Sequence, residues 1–137
     1  MGNDHQPSRP LPLLPMYAIS VGAWALYAIF YRTFWPGSEA VTATLGVFAI
    51  WFVISSAVFI AATYLVILWF AVPGAWRGSA AAALSAPALC LDMLAVANFD
   101  IWFPHAAAGD APSYAALVLG GVGAILFAGL LMTNRRL

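Results

Sequence analysis

Residues 80–103 read AAAALSAPALCLDMLAVANFDIWF, an apolar stretch carrying a single deep carboxyl, that of Asp92. Crossing about 30 Å of hydrocarbon takes roughly 17–25 helical residues, so a stretch of this length is read as a membrane span. Asp92 lies about a dozen residues from either end, which sets its carboxyl near the bilayer centre. A charge there costs roughly 2.5–3.5 kcal/mol on insertion scales. No Lys, Arg or His lies at that depth on the neighbouring runs. A carboxyl without a charged partner in such surroundings tends to take up a proton. The expectation is a neutral, hydrogen-bonded Asp92 at neutral pH.

Outward from this stretch, the chain repeats the same apolar pattern. Its 137 residues are 64% hydrophobic and 7% charged, with a mean hydropathy of +0.93. Soluble domains run near 25% charged, and a chain this small cannot bury so much apolar surface by folding in water. Four runs reach span length: residues 13–34, 41–71, 79–103 and 113–133. They are continuously apolar rather than alternating, which excludes a barrel, and helices satisfy their own backbone within lipid. Turn residues punctuate them at Pro36-Gly37-Ser38, at Pro73-Gly74, and from Pro104 through Gly109 to Pro112. Short connections make successive helices antiparallel. The expected fold is all-α, an integral membrane four-helix bundle running up-down-up-down. The second run exceeds a perpendicular crossing and must tilt or protrude.

All the basic residues are arginines: Arg9, Arg32, Arg77, Arg135 and Arg136. With both termini cytoplasmic, only Arg32 is outside, which satisfies the positive-inside rule. The implied location is a cell membrane, crossed several times. Residues 1–12, with Pro7, Pro10 and Pro12, are expected to form a disordered cytoplasmic tail, and 134–137 a second short tail. The first run follows Arg9 and contains Ala23-Trp24-Ala25, but it continues unbroken to Phe34, so it reads as a span rather than a cleaved leader.

Close approach of small residues holds helices together in lipid. The fourth run carries Ala116, Gly120, Ala124 and Ala128 on one face, widened by Gly121 and Gly123, and the first carries Ala18 and Gly22. This row is expected to pack against another helix of the chain, and it is also the surface through which a homodimer or a membrane partner would form. Pro87 removes a helix hydrogen bond five residues before Asp92; the kink it favours can open a small cavity beside the carboxyl. Tyr17, Tyr31, Trp35, Trp69, Trp76, Trp102 and Tyr114 fall near the expected membrane surfaces, where such rings collect. Trp24 and Trp51 fall near mid-span, either facing lipid or walling an interior site.

The polar residues at membrane depth form the candidate site. Ser55 and Ser56, at the midpoint of the second run, would meet Asp92 if those helices are neighbours. Asn98 and Asp100 follow toward the outer end and would line a polar track from the surface to Asp92, with Arg32 placed to pair with Asp100. On a helix the two carboxyls are about 12 Å apart along the axis, too far for a catalytic pair. The set Asp100, His105 and Asp110 matches no metal-site spacing. Phosphate loops, nucleophile elbows and HExxH motifs are absent. Cofactor, metal and nucleic acid are therefore not expected, and the lipid bilayer is the expected partner. Cys90 is the lone cysteine; it cannot form an intrachain disulfide and behaves as a small hydrophobe.

The segment LDMLAVANFDIWFP, residues 91–104, closing the third of four spans, resembles a pattern in small uncharacterised bacterial four-helix membrane proteins of similar length. The resemblance implies a bacterial inner-membrane location and brings no assigned activity.

Three functions compete. The leading one is a binding, structural or accessory membrane protein whose Asp92 fixes helix packing by hydrogen bonds. The second is a proton- or cation-coupled transporter or channel component, dimeric if it is to build a wet route, since the other spans are poor in polar residues. The third is a membrane enzyme with Asp92 as general acid toward an apolar substrate, walled by Trp24, Trp51, Phe52, Phe59 and Phe99.

Overall fold

The computed structural model describes residues 10–34, 44–107 and 109–134. The expected tail is outside this set except for residues 10–12, as are the turn at Pro36-Gly37-Ser38, the first residues of the 41–71 run, and Arg9, Arg135 and Arg136. The described chain is helical, with no strand. Its helices are α1 (Leu13–Phe34), α2 (Leu45–Trp69), α3 (Arg77–Ala97), the short α4 (Phe99–Trp102) and α5 (Asp110–Asn134). Four segments are long and apolar enough to cross a membrane: α1, α2, Gly74–Ala97 and Asp110–Thr133. That is the architecture of a multi-pass membrane protein.

The second helix turns its polar residues inward and most of its apolar ones outward. On α2 the buried residues are Ser56, Thr63 and Ile67, while Leu45, Ile50, Val53, Ile54, Val58, Leu65 and Trp69 are exposed. A helix folded against water does the reverse. Burial follows one stripe on α1 as well, through Met16, Ser20, Trp24, Ala28 and Tyr31. α3 packs on α1 and on α5, and α2 packs on α5.

Small residues set these contacts. Gly129 of α5 faces Ala81 and Gly78 of α3 so closely that a β-carbon built on it would stand 2.5 Å from the Ala81 Cβ. Gly78 N–H donates to Thr133 Oγ1 (2.9 Å), whose own hydroxyl donates to the Gly129 carbonyl (2.9 Å). The rings of Phe52 and Phe59, two turns apart on α2, lie over Gly120 and Gly121, where a side chain would collide. Of the small-residue row on α5, Gly120 and buried Ala128 thus meet the chain itself, Ala124 is half-buried and Ala116 is exposed.

The end of α2 closes in a Schellman arrangement. Val72 N–H donates to the Ile67 carbonyl (3.0 Å) and Ala71 N–H to that of Leu68 (2.9 Å). Val72 and Ile67 also share an apolar cluster with Met16 and Leu84. The arrangement needs a left-handed residue, and Ala71 supplies it at φ 49° where glycine is usual. Pro73 then bars continuation, and a single 3-10 turn, Gly74–Trp76, leads into α3.

Two of the boundaries that differ from the sequence reading bear on the site. α3 does not run through to Phe103. It ends at Ala97, and Asn98 takes a non-helical conformation (φ −128°, ψ 42°) before α4 begins. α5 starts at Asp110 rather than Ser113. Pro112 belongs to its first turn, where the missing N–H leaves no helix bond unmade.

Candidate functional site

Asp92 is 6% exposed and is held from two other helices. Trp24 Nε1 of α1 donates to Oδ1 at 2.8 Å, and the Tyr114 hydroxyl of α5 donates to the same oxygen at 2.6 Å. One carboxyl therefore ties α1, α3 and α5 together. Oδ2 has no hydrogen-bond partner among the described residues.

The position of Asp92 along its helix explains these partners. Because α3 stops at Ala97, Asp92 sits about a turn and a half from its end. Tyr114, at the start of the second turn of α5, is level with it. The hydroxyls of Ser55 and Ser56 do not reach it: Ser55 is half-buried, and Ser56 Oγ is buried without a hydrogen-bond partner.

Asn98 and Asp100 are exposed. The Asn98 side chain donates to the Leu94 carbonyl (3.0 Å), closing the end of α3. Arg32 donates to the Trp102 carbonyl (3.3 Å), and no Arg32–Asp100 ion pair forms. Neither Asn98 nor Asp100 lines the cavity described below, so the two do not join Asp92 in a track.

An aromatic cluster backs the carboxyl. Tyr114, fully buried, meets Tyr31 edge-on at 4.6 Å and Phe103 at 5.2 Å between ring centres. Phe99 lies 5.8 Å from Tyr114, and Trp24 meets Trp102 edge-on at 5.4 Å. Edge-to-face contacts at these separations add about 0.5–1.5 kcal/mol each beyond burial. Tyr31 and Tyr114, which the sequence places in a surface belt, are interior. Trp24 walls the site, and Trp51 is exposed.

On its other side Asp92 lines a cavity of about 110 Å3, partly open, to which all four long helices contribute. Its apolar walls include Ala23, Phe59, Val66, Leu84, Val118 and Ile125. Its polar groups are Asp92, Trp24, Tyr27, Ser20, Thr63 and Ser85. Ser85 donates back to the Ala81 carbonyl (2.9 Å). Ser20 is 4% exposed, and its Oγ has no hydrogen-bond partner among the described residues. The α3 wall, from Leu84 and Ser85 to Ala88 and Asp92, flanks Pro87, whose kink can open a cavity of this kind.

Sequence reasoning missed Tyr114, Tyr27, Ser20 and Thr63. The recoverable signal was spacing: Ser20 and Trp24 are four apart on α1, and Ser85 and Asp92 seven apart on α3, each pair on one helical face. A carboxyl tied to two donors beside a cavity can bind a small molecule or lock packing, and in its protonated form can give up a proton. No family model matches the chain, and no curated protein or solved structure matches it either.

Proposed function

We propose that this chain is a small binding protein of the bacterial inner membrane, with Asp92 both fixing its helix packing and anchoring a small ligand in the adjoining cavity. Its four helices form an antiparallel up-down-up-down bundle with both termini cytoplasmic, an orientation supported by the arginine bias. The observation that carries the reading is the division of labour at one carboxyl. Oδ1 accepts from Trp24 and Tyr114 on two other helices, while Asp92 lines a cavity walled by all four. Packing alone accounts for the first feature, and a binding role accounts for both. Transport has less support, because Asn98 and Asp100, the residues meant to lead to Asp92, are exposed and away from the cavity.

The test compares Asp92→Asn with Asp92→Leu in detergent micelles, by thermal unfolding and infrared spectroscopy. Asn keeps an oxygen acceptor for both donors, whereas Leu strands two buried donors at about 1–3 kcal/mol each. Asn is therefore expected to stay within about 1 kcal/mol of the parent while Leu loses several times as much. The protonated carboxyl C=O band of the parent at neutral pH should vanish in Asp92→Asn. A Leu variant as stable as the parent would overturn the packing half of the proposal, and no such band in the parent would overturn the neutral acid.

A further inference from the structure

We infer that the cavity beside Asp92 binds a small lipophilic amine, taken up as the free base and held as an ammonium ion against the carboxylate. The inference rests on the reading of this cavity as a binding site and names its ligand class.

The hydrogen-bonding groups around Asp92 are partly engaged and partly open. The strongest donors near Asp92, Trp24 N–H and Tyr114 O–H, are both engaged on Oδ1. The cavity is lined further by Thr63 and Tyr27, and the Oγ of Ser20, another lining residue, is buried without a partner among the described residues. The hydroxyls can accept as well as donate, so a ligand bearing N–H groups and a nitrogen lone pair meets acceptors on these walls and a proton to take up from Asp92. A buried serine without a partner is also uncommon, since most buried polar side chains find one.

Charge favours a ligand that arrives neutral. Bringing a preformed cation through lipid is costly, but a neutral amine crosses as an apolar molecule does. Once beside Asp92 the Oδ2–H bond breaks, the proton passes to the amine nitrogen, and an N–H bond forms on the nitrogen lone pair. The net charge of the cavity stays zero. Alkylamines are more basic than carboxylic acids by about six pH units in water, and the contact pair gains strength where the dielectric is low. The carboxylate left behind keeps its donors from Trp24 and Tyr114, a shell that favours the charged form. Trp24, Tyr27 and Phe59 line the same space, and an aromatic ring favours a cation lying over its face by about 0.5–2 kcal/mol.

Size limits the ligand further. A volume of about 110 Å3 exceeds several-fold the roughly 10–15 Å3 that one water requires by the same measure. It suits a compact amine with a single ring.

The experiment uses the full chain in lipid nanodiscs, titrated calorimetrically with benzylamine, benzyl alcohol and toluene against empty discs. Benzylamine should bind about 10–100-fold more tightly than toluene, the range for a hydrogen bond to a charged group, with loss of the protonated carboxyl infrared band. Asp92→Asn should reduce benzylamine to the affinity of benzyl alcohol and leave toluene unchanged. Ala88→Leu, which fills the cavity without altering the carboxyl, should abolish binding of all three. Benzylamine binding no tighter than toluene, or undiminished in Asp92→Asn, overturns the amine while the cavity remains a binding site, and binding undiminished in Ala88→Leu overturns the cavity as the site. Failure of all three ligands overturns both readings.

Discussion

Removing one oxygen atom, by Tyr114→Phe, isolates what the carboxyl tie contributes. The ring is fully buried against Tyr31, Phe99 and Phe103, and phenylalanine keeps those contacts. What disappears is the hydroxyl that donates to Asp92 Oδ1 at 2.6 Å. Interhelical hydrogen bonds in membrane proteins average about 0.6 kcal/mol and reach about 1.7. This one is short and dry, and to a neutral acid it should be worth about 1 kcal/mol, roughly a fivefold change in the folding equilibrium. To a carboxylate the loss rises to about 1.5–3 kcal/mol. The assay is reversible unfolding in mixed detergent micelles titrated with dodecyl sulfate, followed by circular dichroism. Pairing Tyr114→Phe with Asp92→Leu in a double-mutant cycle should give a coupling of at least about 0.5 kcal/mol. Strict additivity would refute the tie. A Tyr114→Phe loss well above 2 kcal/mol would refute the neutral acid while leaving the tie intact.

Two further outcomes follow from the backbone. Gly129→Ala places a β-carbon against the Ala81 Cβ and beside Gly78, neither of which can swing aside; α3 and α5 must separate, lowering stability by about 1–3 kcal/mol in the same assay. Ala71→Gly works in the other direction: relief of the left-handed alanine, about 1–2 kcal/mol, outweighs the roughly 0.4–1 kcal/mol of added freedom in the unfolded chain. A higher unfolding midpoint is expected, and an unchanged or lower one would mean that this turn is not strained.

The sequence discloses the spans because lipid imposes a length and a composition that few other environments require. The run 13–34 coincides with α1. The two displaced boundaries have local causes that a hydropathy pattern does not carry. Asn98 leaves the helix although its neighbours are apolar, and Pro112 starts a helix although proline usually marks a break. The first displacement is the costlier, because placing Asp92 at mid-span directs attention to Ser55 and Ser56 at the midpoint of α2. A helix ending at Ala97 moves Asp92 toward its end and toward Tyr114.

Aromatic residues were misread for a related reason. A tyrosine near the end of a span is assigned to the membrane surface because its ring is apolar and its hydroxyl seeks water. Where a neighbouring helix brings a carboxyl to the same level, the hydroxyl finds its acceptor inside, and the ring that would float at the surface becomes core. Tyr114 takes that course. The same reversal applies to several polar residues within these helices, since lipid removes the outward choice that water gives. Ser20, Ser56, Thr63, Ser85 and Asp92 are all buried, and they leave apolar side chains to face outward. Of these, Ser20, Thr63, Ser85 and Asp92 mark the faces of α1, α2 and α3 that, with Val118, Val122 and Ile125 of α5, converge on the cavity.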